Sequence, residues 1–178
     1  PTLIRRSLGV VAVQWWYGTG EGAAHEAPAE QVYREIEAVA RAMGLRQGAL
    51  LLLGTGRGAE YVYALAAHDR NAGGKLFGLN VANSGAMAAD LPANRRVAEG
   101  QFGLGPFDDT RWVFVCGTRD AEPERAGCPA MRGAADAVRR FGGRVEASVQ
   151  IERGNRTSLF ADQAQIDAIL DRYAALAR

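Results

Sequence analysis

The chain has 178 residues, 48% of them hydrophobic and 23% charged, the balance of one soluble globular domain. With 21 Lys and Arg against 20 Asp and Glu, and Lys75 the single lysine, no basic excess is available to neutralise a phosphate backbone, so no nucleic-acid partner is expected. No apolar run reaches the ~20 residues that span a bilayer, and Pro1-Thr-Leu-Ile-Arg-Arg6 lacks the apolar stretch of a signal peptide, so no membrane partner is expected and the compartment stays open.

Runs of aliphatic and β-branched residues alternate with helical patterns along the chain, which predicts an α/β fold. The expected architecture is a mostly parallel open sheet of about five strands with flanking helices, a single domain over 1–178. The first strand is read over 10–16. A helix follows over 28–43, where Val32, Ile36, Val39 and Met43 recur at three and four residues, Pro28 suits the first turn and Gly44 the stop. A strand over 49–53 and a helix over 58–68 come next, then a strand over 76–82. The stretch 84–109 is rich in Gly and Pro with little periodicity and too long for an ordinary connection, so it is expected as a lid or excursion loop. A strand over 112–117, a helix over 129–141, a strand over 145–151 and a helix over 162–177 complete the order. The last helix carries the stripe Ile166, Ile169, Leu170, Tyr173 and Leu176. Cys116 and Cys128 either close a short loop or remain two free thiols, since their spacing fits neither a CxxC pair nor a zinc knuckle.

The stretch Leu50-Leu-Leu-Leu-Gly54-Thr-Gly56-Arg57-Gly58-Ala59-Glu60 is a buried strand turning sharply into a helix. Gly54, Gly56 and Gly58 fit the frame of a nucleophile elbow, G-x-S-x-G, whose small flanking residues expose the central side chain above a sheet. The central position here is Gly56, where that chemistry needs Ser. The same stretch satisfies the dinucleotide fingerprint G-x-G-x-x-G/A through Gly54, Gly56 and Ala59, with a second match at Gly18, Gly20 and Ala23. That motif wants an acid at the end of the next strand, and the sequence there reads Leu79-Asn-Val-Ala-Asn83.

Other residue types weigh less. Trp15, Trp16 and Tyr17 alternate faces of a strand, either as core and rim packing or as an aromatic wall for a small apolar or acyl ligand. His25 follows a strand at the ligand-binding end of an open α/β sheet and reads as a loop residue. His68 reads as a surface cap at the far end of its helix, Ser84 as a turn residue on the correct rim, and Asp108 with Asp109 as a solvated turn. No metal site and no cofactor are expected. Pro1 has no feature that would make its amine catalytic.

The order strand, helix, Gly54-x-Gly56-x-Gly58, helix, strand, Trp112-Val-Phe-Val-Cys116-Gly117-Thr-Arg-Asp120, helix, strand, Gly154-Asn155-Arg156 and closing helix resembles the later two-thirds of an α/β-hydrolase. Residues 11–21 resemble the strand and glycine-rich turn that precede the elbow. Within that superfamily the chain is similar to the esterase and polyhydroxybutyrate-depolymerase-like branch, where an Arg often follows the nucleophile as Arg57 does. The resemblance places the triad's acid on Asp120, its nucleophile on Gly56 and its histidine on Arg156, or on Asn155 if the loop shifts by one. It places an oxyanion donor on the Arg57 backbone N–H, and a pocket beside Trp15, Trp16, Tyr17 and Ser84. Because arginine stays protonated, it cannot serve as the base.

The resemblance therefore implies an esterase-like protein that is catalytically impaired or a non-catalytic binding domain. The alternatives are an active serine esterase whose missing groups come from elsewhere, Ser84 among the candidates, and a dinucleotide-binding Rossmann-like protein. In the resembled fold an earlier strand lies between the first strand here and the elbow strand. Only Pro1 to Leu8 precede Val10, so a homo-oligomer or an upstream segment is expected to complete the sheet.

Overall fold

The computed structural model describes Arg6 and residues 8–17, 25–73 and 75–176. Four of the five expected strands form one parallel sheet in the order β3-β4-β5-β6: β3 (Leu50–Thr55), β4 (Phe77–Asn83), β5 (Arg111–Gly117) and β6 (Arg144–Ile151). The fifth expectation differs. Residues 8–15 carry no strand, and only β1 (Trp16–Tyr17) pairs, antiparallel, with β2 (His25–Glu26). Leu8 packs against the core on one face of the sheet, and Val13 and Trp15 against the core on the other, so the segment rounds the β3 edge without joining the ladder.

Helices α1 (Ala29–Ala42), α2 (Arg57–Asn71), α3 (Pro92–Ala98), α4 (Pro123–Ala126), α5 (Cys128–Arg140), α6 (Ser158–Ala161) and α7 (Gln163–Leu176) complete the order. Strand alternation divides the core. Ala82, Trp112, Phe114 and Cys116 point toward α2 and α5, while Leu79, Val81, Val113 and Val115 point toward α6 and α7. Both faces of β4 and β5 are thus covered, which is why these strands read as unbroken apolar runs. Trp112, fully buried, stacks on Tyr63 of α2 at 5.3 Å between ring centroids and ties helix to sheet. In α1 the buried line is Ala29, Val32, Tyr33, Ile36 and Ala40; Val39 and Met43, expected on that stripe, are exposed.

The stretch 84–109 is not a bare loop. It contains α3 and buries Leu91, Val97 and Phe107, and the Asn94 side-chain amide donates to the Glu60 carbonyl at 2.7 Å. Cys116 and Cys128 are bonded, closing a loop between the end of β5 and the start of α5. Among the described residues no helix is long and apolar enough to cross a membrane.

A disulfide stabilises chiefly by restricting the unfolded chain, by about 3 kcal/mol for a loop of roughly this size. The double substitution Cys116→Ser, Cys128→Ser is expected to lower the Tm measured by circular dichroism. An unchanged Tm would show that packing alone holds the loop.

Candidate functional site

Each parallel strand delivers one element of the site at its carboxyl end, where open α/β sheets bind ligands. After β3 comes Gly56, after β4 Ser84, after β5 the turn holding Asp120 and Glu122, and after β6 Arg156. Gly56 has φ 57° and ψ −125° and caps α2, so the chain reverses from strand to helix in a single strained residue. The corner works only with small neighbours. A Cβ on Gly54 would lie 2.2 Å from the Gly58 carbonyl oxygen, and one on Gly85 would lie 2.1 Å from that of Gly56. A Cβ on Gly56, in contrast, would meet only the Arg156 side chain, at 3.7 Å.

Arg156 is the centre of the polar network. Its Nη2 donates to Asp120 Oδ1 at 2.8 Å and to Glu122 Oε1 at 3.0 Å, while its carbonyl accepts from the Asn83 side-chain amide at 2.8 Å. The Asp120 side chain is fully buried. Burial pushes its carboxyl upward, but the hydrogen bonds from Arg156 and from the Glu122 backbone N–H outweigh that and hold it below the ordinary carboxylate range. Asn155, the alternative position one residue earlier, is exposed and bonds within its own turn: its Oδ1 accepts from the Thr157 backbone and hydroxyl.

A second ionic group adjoins the first. Glu60, buried on the first turn of α2, receives two hydrogen bonds from Arg125, at 2.5 and 2.7 Å, and Arg125 also pairs with Asp90 at 2.9 Å. Those bonds to Glu60 and then Asp90 raise the Arg125 pKa further above its already high value. Between the two groups lies a cavity of about 170 Å³ lined by Gly56, Arg57, Ser84, Arg125 and Arg156, with Glu60 and Glu122 on its walls. Ser84 is held by its backbone N–H donating to the Val115 carbonyl, at φ 50°, and its buried hydroxyl has no hydrogen-bond partner.

The other expected site residues lie elsewhere. Trp15 stacks on Tyr61 at 4.7 Å, Trp16 lies beneath the Arg57 guanidinium at 5.0 Å, and the Tyr17 hydroxyl donates to the Gln14 carbonyl; none of the three lines the cavity. Arg57 opens α2 and lines the cavity, while its side chain pairs with Glu26 at 2.8 Å. His68 is not an exposed cap. It lies inside α2, half-buried between Tyr33 and Phe102, where burial lowers its pKa. His25 falls in β2, and Asp108 and Asp109 pair at the surface with Arg70 and Lys75. The second dinucleotide match, at 18–23, and Pro1 lie outside the described residues. Among the described residues no group of His, Cys, Asp and Glu is placed to hold a metal ion.

No protein-family model matches the sequence, and no curated protein does. Solved structures do match in fold. Arabidopsis thaliana SOBER1 in its F65L form superposes with TM-score 0.58 at 13% identity, covering 84% of this chain and 65% of that one. An esterase of Rhizomucor miehei gives 0.57 at 14%, covering 83% and 58%, and the Pyrobaculum calidifontis esterase 0.54 at 12%, covering 84% and 58%. The chain has the α/β-hydrolase fold. It spans 58–65% of the length of those three structures. The dinucleotide reading is not favoured: β4 ends at Asn83, whose amide serves Thr55 and Arg156 within the hydrolase-type corner.

Sequence reasoning missed Glu60, Glu122 and Arg125. Glu60 had a signal, a lone acid in the otherwise apolar run Ala59 to Ala67, whereas Arg125 sits in a short polar stretch indistinguishable from a surface turn.

Because the Asp120 carboxyl is held low in the folded state, its pairing contributes stability in full above the unfolded value of about 3.9 and loses it as pH falls toward the folded value. Urea unfolding of Asp120→Asn should show reduced stability at pH 7 and a smaller further loss on acidification below about pH 4 than the parent. An identical acid response in both would remove Asp120 from the acid-labile set.

Proposed function

We propose that this α/β-hydrolase-fold protein is a non-catalytic relative of the esterases, a binding domain built on a hydrolase rim. One observation carries the reading: Arg156, at the position the resemblance gives to the triad's histidine, is ion-paired to Asp120 at 2.8 Å, directly over a Gly56 that has no side chain. A serine hydrolase needs a nucleophile whose proton passes to a neutral base oriented by a carboxylate. Here the carboxylate position is filled, the base is replaced by a permanent cation and the nucleophile by a hydrogen. Loss of the nucleophile alone removes nearly all triad catalysis, leaving what oxyanion donors and binding contribute.

The alternative of an active esterase using Ser84 meets a geometric objection. An activated serine has a base within hydrogen-bond reach, and the Ser84 hydroxyl has no partner. Proposals for a completing segment or a second copy rest on β3, which stands at the sheet edge with Leu53 exposed. A clean 19 kDa monomer in size-exclusion chromatography would count against the second copy.

A fluorophosphonate probe is expected to leave the protein unlabelled, and covalent labelling at any serine would overturn the non-catalytic reading. The double substitution Gly56→Ser, Arg156→His is expected to create measurable hydrolysis of a short-chain nitrophenyl ester, since a Cβ at position 56 has van der Waals room, at the cost of backbone strain for a serine at φ 57°. No gain in a folded double variant would show that the oxyanion side is lost as well.

A further inference from the structure

We infer that the cavity between Gly56, Ser84 and Arg156 is a receptor for a small monocarboxylate, which rests on the non-catalytic reading and gives its ligand class. Both ion pairs of Arg156 run through Nη2. Its Nη1 lies 3.7 Å from the point where a Cβ on Gly56 would stand, so this nitrogen is carried over the elbow. Below it, α2 begins at Arg57; the Ala59 and Glu60 N–H groups are bonded to the Gly56 carbonyl, which leaves those of Arg57 and Gly58 as the donors of the helix start. Arg57 itself lines the cavity.

A helix start alone would not make a site, but the turn after β4 adds an independent donor to the same cavity. Ser84 is fully buried, lines the same cavity and has a hydroxyl without a partner, an arrangement that costs stability unless something accepts its proton. Its position is fixed on every side: the Ser84 N–H is bound to Val115, the Tyr63 hydroxyl donates to the Gly85 carbonyl at 3.0 Å, and Gly85 abuts the Gly56 carbonyl too closely for a Cβ. Arg156, Arg57 and Ser84 thus line one cavity, and a two-oxygen acceptor is the ligand class that could serve their donors together.

Charge selects the ligand further. Arg125 spends Nε, Nη1 and Nη2 on Glu60 and Asp90, and Arg57 pairs with Glu26, whereas Arg156 meets Asp120 and Glu122 through Nη2 alone, so its Nη1 supplies the donor. Glu60 and Glu122 on the walls oppose a dianion. A planar monoanion presenting two oxygens to a guanidinium fits; a phosphate dianion does not. The site therefore holds the kind of acid that ester hydrolysis would release, without the group that would release it.

Sodium butyrate titrated into isotope-labelled protein at neutral pH tests this by NMR. Saturable shifts are expected at the amides of Arg57, Gly58, Ser84 and Gly85, with butyramide and inorganic phosphate far weaker. Ser84→Ala should weaken butyrate about fivefold and Arg156→Lys about tenfold, the first of these without touching the ion pairs. No saturable shift, shifts confined to other residues, or binding of butyramide or phosphate as tight as butyrate would overturn the inference. A silent fluorophosphonate probe with no butyrate response sinks the carboxylate site alone, whereas probe labelling of Ser84 sinks the non-catalytic reading whatever butyrate does.

Discussion

Backbone crowding at the corner between β3 and α2 governs the rest of the molecule. Three chain segments meet there within van der Waals distance: the strand end at Gly54, the helix start at Gly58, and the turn after β4 at Gly85. Neither Gly54 nor Gly85 has room for a Cβ there, since each would press into backbone of the corner. Because the segments are that close, β3 and β4 end level, α2 leaves at one fixed angle, and Ser84 is pressed into the rim at a positive φ that a serine adopts only when its neighbours leave no alternative. The polar network is built on that rigid base, since Asn83 on the same rim holds the Arg156 backbone.

The Asp120 to Arg156 pair gives the site its character. Withdrawing a carboxylate from water is costly, and the pair offsets that cost only because the partner is close and further hydrogen bonds are in place. In a working triad the partner would be a base that changes protonation during each turnover; a guanidinium does not change. The buried acid is thus held in a permanent ion pair, and the Glu60, Arg125 and Asp90 cluster beside it has the same static quality.

Much of this architecture was legible in the residues. The four strands of the sheet and the four longer helices fall within two or three residues of expectation, because their apolar runs, caps and glycine stops agree with one another. The elbow was visible from glycine spacing alone, since close backbone approach leaves a mark in the sequence. What escaped was tertiary in origin. Helix α3 is seven residues long and has too few apolar positions to show a period, yet Leu91 and Val97 are fully buried because α2 lies against them. The segment over 10–16 has the composition of a strand, but Leu8 packs on one face of the sheet and Trp15 on the other, and of the segment only Trp16 pairs, with Glu26. Asp120 and Arg156 were named from the resemblance, while Arg125 and Glu122 became part of the site only through the turn that carries them. No local pattern distinguishes such residues.

The bond between Cys116 and Cys128 makes that turn a closed ring. Asp120, Glu122 and Arg125 all lie between its two anchors, so the acids of the first ionic cluster and the arginine of the second are carried on one closed segment. The cavity therefore borders a single covalently fastened segment that serves both clusters.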